Sequence, residues 1–122
     1  MTTDLPRVFA DGRGVWRQEE PGQEPWGIAW DEIVCVTGAK LDVVDAVYTY
    51  LELAFEFGKW VEVYADWVGF PEVVRAITER LPGIRSSWYE EIERLEPRQA
   101  PLTVWWRAEP GAAPDCYKVS GS

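Results

Sequence analysis

The chain contains no histidine. The commonest general base is therefore missing, and Ser-His-Asp and Cys-His constellations are excluded outright. Its serines are Ser86, Ser87, Ser120 and Ser122, and none stands in a GxSxG elbow. Cysteine is scarce as well: Cys35 and Cys116 have no CxxC neighbour and no histidine to share a metal with, so neither a zinc nor an iron–sulfur site is supported. Cys35 sits in an apolar run and reads as a core residue with a reduced thiol. No apolar run approaches membrane-spanning length, and the polar start Thr2 to Pro6 is no secretory signal, so a cytoplasmic protein is expected. Basic charge is in short supply, with 12 Lys and Arg against 21 Asp and Glu and a net charge of −9. Such a surface repels phosphate backbones and anionic lipid, which argues against nucleic acid and membrane as partners and favours a basic protein or a cationic ligand. No P-loop or GxGxxG is present, since Gly12 and Gly14 run into strand-like Val15-Trp16-Arg17. Asp42 and Asp45 match no calcium-loop spacing and read as loop residues, so no metal and no cofactor is expected.

What the chain has in excess is tryptophan, eight in 122 residues. Indole pairs a large apolar face with one N–H donor and serves cores, core edges and binding hot spots alike. At least two of the eight should stay partly exposed. The length suits one domain, placed at 7–107 between a loose start at 1–6 and a weakly ordered tail at 108–122.

Asp11 to Gly14 is strong turn chemistry between two short β-type runs, Val8 to Ala10 and Val15 to Arg17. Glu19 to Pro25 is a polar loop. From Trp26 to Thr37 the alternation of apolar residues changes phase at Asp31-Glu32, which predicts a bulge there or two strands meeting at a corner. Tyr48 to Asp66 reads as a hairpin near Gly58-Lys59. Leu51, Leu53, Phe55 and Phe57 share one face of it, with Tyr50, Glu52 and Glu56 on the other. A two-residue turn at Gly58-Lys59 would put Glu62 opposite Phe55 on the buried face. A three-residue loop or a bulge instead returns Val61 and Val63 to the core face.

Pro71 opens a helix over 71–81, because Phe70, Val73, Val74, Ile77 and Leu81 fall on one helical face. Ser87 and Glu90 form a capping-box pattern for a short helix over 88–95, and Leu102 to Arg107 alternates as a final strand, Leu102, Val104 and Trp106 on one face. The fold class is α+β: a bent antiparallel sheet or partly open barrel with one long and one short helix.

With Val61 and Val63 inward, Trp60, Glu62, Tyr64 and Asp66 emerge together with Tyr50 and Glu52. That is the candidate binding surface, aromatic rings edged by carboxylates, suited to a basic protein surface through hot-spot burial and cation–π contact. Glu52 and Glu62 opposed across the hairpin, or Glu90, Glu91 and Glu93, are the carboxylate sets that glycosidase-type chemistry would need.

The order of strand, loop, Trp26 to Val36, hairpin and helix, with the phrase Ile28-Ala29-Trp30-Asp31-Glu32-Ile33, resembles bacterial pleckstrin-homology-like domains over residues 7 to 83. The resemblance implies a non-enzymatic scaffold. It does not carry over phosphoinositide binding, because the basic cluster is missing, and the chain departs from the pattern in its second helix and last strand. The expected function is a non-catalytic interaction module that binds a protein partner through the acidic, aromatic-lined surface, in one version an inhibitor or immunity-type protein. The alternatives are a small-ligand domain with a Trp-lined pocket and a carboxylate-dependent enzyme.

Overall fold

A computed structural model of the chain describes residues 5–55 and 59–107. The expected tail at 108–122 lies outside the described residues, as do residues 1–4 of the expected loose start and Glu56, Phe57 and Gly58 of the hairpin.

Among the described residues seven strands form two antiparallel sheets, with no closed barrel, where the pattern predicts one bent sheet or a partly open barrel. The first sheet is β1 (Arg7–Ala10), β2 (Gly14–Gln18) and β3 (Trp26–Ala29), in that order. The turn chemistry at Asp11 is realised in full, because one carboxylate oxygen accepts the N–H groups of Arg13 and Gly14 and the indole N–H of Trp16. The phase change at Asp31-Glu32 marks the corner between sheets. A 3-10 turn over Trp30–Glu32 ends β3 and sends the chain into β4 (Cys35–Val43) of the second sheet.

The second sheet has the order β6-β5-β4-β7, with β5 at Ala46–Ala54, β6 at Trp60–Tyr64 and β7 at Leu102–Trp106. Two expectations change here. Asp42 lies within β4 rather than in a loop, and the turn between β4 and β5 is confined to Val44 and Asp45. Sequence alone shows this hairpin poorly, since Val44-Asp45 lacks the Asn-Gly chemistry of tight turns. The β5–β6 register pairs Leu53 with Val61 and Leu51 with Val63, so the two-residue Gly58-Lys59 turn is not formed and the valines face the core. Phe55 N–H still bonds Lys59 C=O across the hairpin at 2.7 Å.

The core lies between the sheets and under the helices. Val8, Val15 and Ile28 come from the first sheet; Val36, Leu51, Leu53, Val61, Val63 and Val104 come from the second. The helix α1 (Phe70–Arg80) adds Phe70, Val73 and Ile77, and starts from Gly69, whose positive φ of 90° suits glycine. A Cβ on Gly69 would also lie 2.0 Å from the Val8 carbonyl oxygen. The helix α2 (Trp88–Glu93) is shorter than 88–95. Its capping box does not form, because the Ser87 hydroxyl donates to Glu91 (2.8 Å) instead of accepting a backbone N–H. The helix seats Ile92 directly over Gly38 of β4, where a Cβ would come within 2.2 Å of the Ile92 side chain.

In β7 a bulge opposite Val36 and Thr37 breaks the expected alternation. Val104 and Trp105 are therefore both buried while Trp106 points out. Cys35 is fully buried, as expected of a core residue, but it is disulfide-bonded rather than a reduced thiol. Sequence spacing does not reveal such pairing, which is set by approach in space. The chain's other cysteine, Cys116, lies outside the described residues. Among the described residues no helix is long and apolar enough to cross a membrane.

Candidate functional site

Period-two alternation fixes the site. With Leu51, Leu53, Val61 and Val63 turned inward, the intervening residues of β5 and β6 must emerge on the opposite face. The register sets Tyr50 beside Tyr64, Glu52 beside Glu62 and Ala54 beside Trp60. Five of the six residues singled out from the sequence thus stand on one face. Asp66 does not, because β6 ends at Tyr64 and Asp66 is exposed in the turn that follows.

The rings form a continuous stack. Tyr50 and Tyr64 have centroids 5.5 Å apart at 30°, and Tyr64 meets Trp67 at 5.5 Å and 26°. Glu62 is oriented by its own strand: the Tyr64 hydroxyl donates to one carboxylate oxygen at 3.0 Å and the Trp60 indole N–H to the other at 3.3 Å. Glu52 has no such help, since among the described residues no donor or cation bonds its carboxylate. Its pKa lies above the ordinary carboxylate value, first because it is half buried and then because Glu62 faces it. Burial, followed by the hydrogen bond to Glu62, pushes the Tyr64 hydroxyl up to about 12. Tyr50 is shifted upward too, by burial and then by the two carboxylates.

Arg17 supports this face from the first sheet and was not marked out by sequence reasoning. Only 8% exposed, its guanidinium lies between the Trp67 ring (4.5 Å) and the Trp26 ring (4.9 Å). One N–H donates to the Glu62 backbone carbonyl at 2.5 Å, another pairs with Glu19, and Nε is buried without an acceptor among the described residues. Arg17 therefore closes the free edge of β6 and holds Trp67 in the stack. The available signal was its parity, because Arg17 shares the inward-facing register of Val15.

Of the other carboxylate candidates, Glu90 is exposed, whereas Glu91 and Glu93 are engaged structurally. Glu91 is held by Arg85 (2.6 Å) and Ser87, and Glu93 by the Tyr89 hydroxyl (3.1 Å) and Lys40 (3.9 Å). Among the described residues no group of three or more His, Cys, Asp or Glu could hold a metal ion. Of the tryptophans, Trp88 and Trp105 are core residues bonded to Thr78 and to the Pro82 carbonyl, and Trp16 and Trp30 bond Asp11. Trp26, Trp60 and Trp106 remain exposed, in line with the expected surplus at the surface.

Comparison with protein-family models, with curated proteins and with solved structures finds no match.

Proposed function

We propose that the chain is a non-catalytic interaction module, of the inhibitor or immunity type, that binds a basic protein surface through Tyr50, Glu52, Trp60, Glu62 and Tyr64. The observation that carries this reading is the pair Glu52 and Glu62, opposed in register with no cation paired to either carboxylate among the described residues, beside stacked, partly open rings. Like charges directly opposite on a sheet are unfavourable in the free protein. A lysine or arginine from a partner relieves that repulsion and gains cation–π contact with Tyr64 or Trp60. Binding free energy then comes from what the free chain lacks. The net charge of −9 would speed encounter with a basic cleft and make it sensitive to salt.

In this reading the two sheets act as halves of a partly open barrel of the pleckstrin-homology-like kind, a scaffold that presents the face, with Asp66 at its rim. Affinity capture from the source cell with the wild-type chain and with a Glu52→Gln, Glu62→Gln double variant tests it. A basic protein retained at low salt, released at high salt and lost by the variant is expected. Failure to retain any salt-sensitive partner, or equal retention by the variant, would refute the reading.

A further inference from the structure

The hairpin of β4 and β5 is longer than the sheet that contains it. The two strands pair over their whole length, from Cys35 with Ala54 to Val43 with Ala46. Yet β7 accompanies β4 only from Cys35 to Gly38, and β6 accompanies β5 only from Tyr50 to Ala54. Residues 39–49 therefore project as a two-stranded arm, joined to the rest on the β6 side by one further bond, Ala65 N–H to Thr49 C=O at 2.9 Å.

The arm exposes several apolar side chains to solvent. Val44 is 99% exposed at the turn, and Leu41, Val43 and Val47 are exposed as well. An isolated two-stranded ribbon gains little stability in water, and a tight turn favours Gly, Asn or Asp at both central positions. A bare β-branched valine at that place works against the free arm, which points to burial elsewhere. Register also settles the arm's orientation. Leu41 pairs with Tyr48 and Val43 with Ala46 on the same outward face as Tyr50 and Glu52, so an apolar strip runs directly into the acidic, aromatic site. Asp45 stands at its end in the turn, Asp42 takes the opposite face with Val47, and the arm's one cation, Lys40, is engaged at its base with Thr49 and Glu93.

We infer that the arm is the anchoring half of the same interface: Leu41, Val43 and Val44 enter an apolar recess on the protein partner, and lysine or arginine residues rimming that recess meet Asp45 and the Glu52–Glu62 pair. This rests on the reading of that pair as a basic-protein site and adds that the partner presents an apolar recess beside its positive charge. The exposed Asp42 and Asp45 of the arm repel an anionic bilayer and disfavour a second copy of this equally acidic chain.

Two synthetic peptides of equal length and charge test the inference, one alternating lysine with leucine and the other lysine with serine. Each is titrated into the isotopically labelled full chain while backbone amide resonances are followed. The lysine–leucine peptide should shift Leu41 to Val47 together with Tyr50, Glu52 and Glu62, and bind about tenfold tighter than the lysine–serine peptide, the gain expected for burying one aliphatic side chain. Val44→Asp should remove that advantage without changing the melting curve, as Val44 touches no core, and Leu41→Ser should weaken it. Equal binding by the two peptides, with shifts confined to 50–64, overturns the arm and leaves the acidic site standing. No binding by either peptide, or binding unchanged in the Glu52→Gln, Glu62→Gln variant, overturns the underlying reading as well. Shifts of the arm by phosphatidylcholine–phosphatidylglycerol vesicles, or self-association abolished by Val44→Asp, would overturn it in favour of a membrane or a second copy.

Discussion

Arg17 and Glu52 are opposite solutions to placing a charge in a half-dry setting. The guanidinium of Arg17 is spread over two indole faces and donates to the Glu62 carbonyl, so the charge is shared among aromatic and polar neighbours. Replacing it by methionine should destabilise the protein by roughly 2–4 kcal/mol, since the β6 carbonyl and Glu19 lose their donor. Arg17→Lys should recover less than half of this in urea unfolding, because an ammonium cannot lie flat between two rings. Glu52 has no such sharing. Its folded pKa is raised above the ordinary carboxylate value, so the protonated form favours the folded state, and this contribution is lost as pH rises through the folded pKa. Glu52→Gln should therefore raise stability near pH 7 by a few tenths of a kcal/mol, discounted for partial exposure, and change little near pH 4. Thermal melts of both proteins across that range would check it. Asp11 runs the other way: hydrogen bonds from Trp16, then Arg13, lower its pKa, and its contribution fades as pH falls below about 3.8. Residue-level reading of the sequence succeeded where alternation was intact, as for Tyr50, Glu52 and Glu62. It missed Arg17 because an arginine on an apolar parity reads as surface until its indole partners, 9 and 50 positions away, are seen to converge on it.

Elements meet through residues whose size is fixed by a neighbour. Gly38 lets α2 lie close on β4, and Ile92 fills the space that a side chain there would need. Gly38→Ala should destabilise by roughly 1–3 kcal/mol, the usual range for overpacking, because Ile92 is fully buried and cannot swing away. In the combined Gly38→Ala, Ile92→Val variant the cost should be less than the sum of the two single changes, as a double-mutant cycle in denaturant would show. The helix α1 was legible from spacing alone, since its buried residues repeat at three and four positions. The faces of β7 were not. The bulge beside Val36 depends on the partner strand, and nothing within Leu102–Trp106 announces it. The arm was illegible for a related reason: Leu41 to Val47 mixes apolar and acidic residues without a turn signal, and only its pairing partner makes Asp42 a strand residue.

For the molecule as a whole, charge and connectivity pull separately. A net charge of −9 on one small domain repels itself, so raising ionic strength from about 0.01 to about 0.5 M should lift the melting midpoint by roughly 2–5 °C, measurable by calorimetry. The α+β class followed from the mixture of periods two and 3.6 along the chain. The division into two sheets was only half visible, since the phase change at Asp31-Glu32 marks a corner without saying which strands lie on either side of it.

The last strand gives that corner a temporal meaning. The first sheet closes using residues 7 to 29 and the second, up to β6, using residues 35 to 64, so both arise from neighbours in the chain. By contrast β7 must return across 66 positions before Thr103 meets Thr37, and Arg107 across 74 before it reaches the Ile33 carbonyl. Loop closure over that distance is entropically slower than hairpin formation. In a refolding experiment with pulsed hydrogen exchange, the amides of β7 should acquire protection last, after the Glu52–Glu62 face has already taken shape.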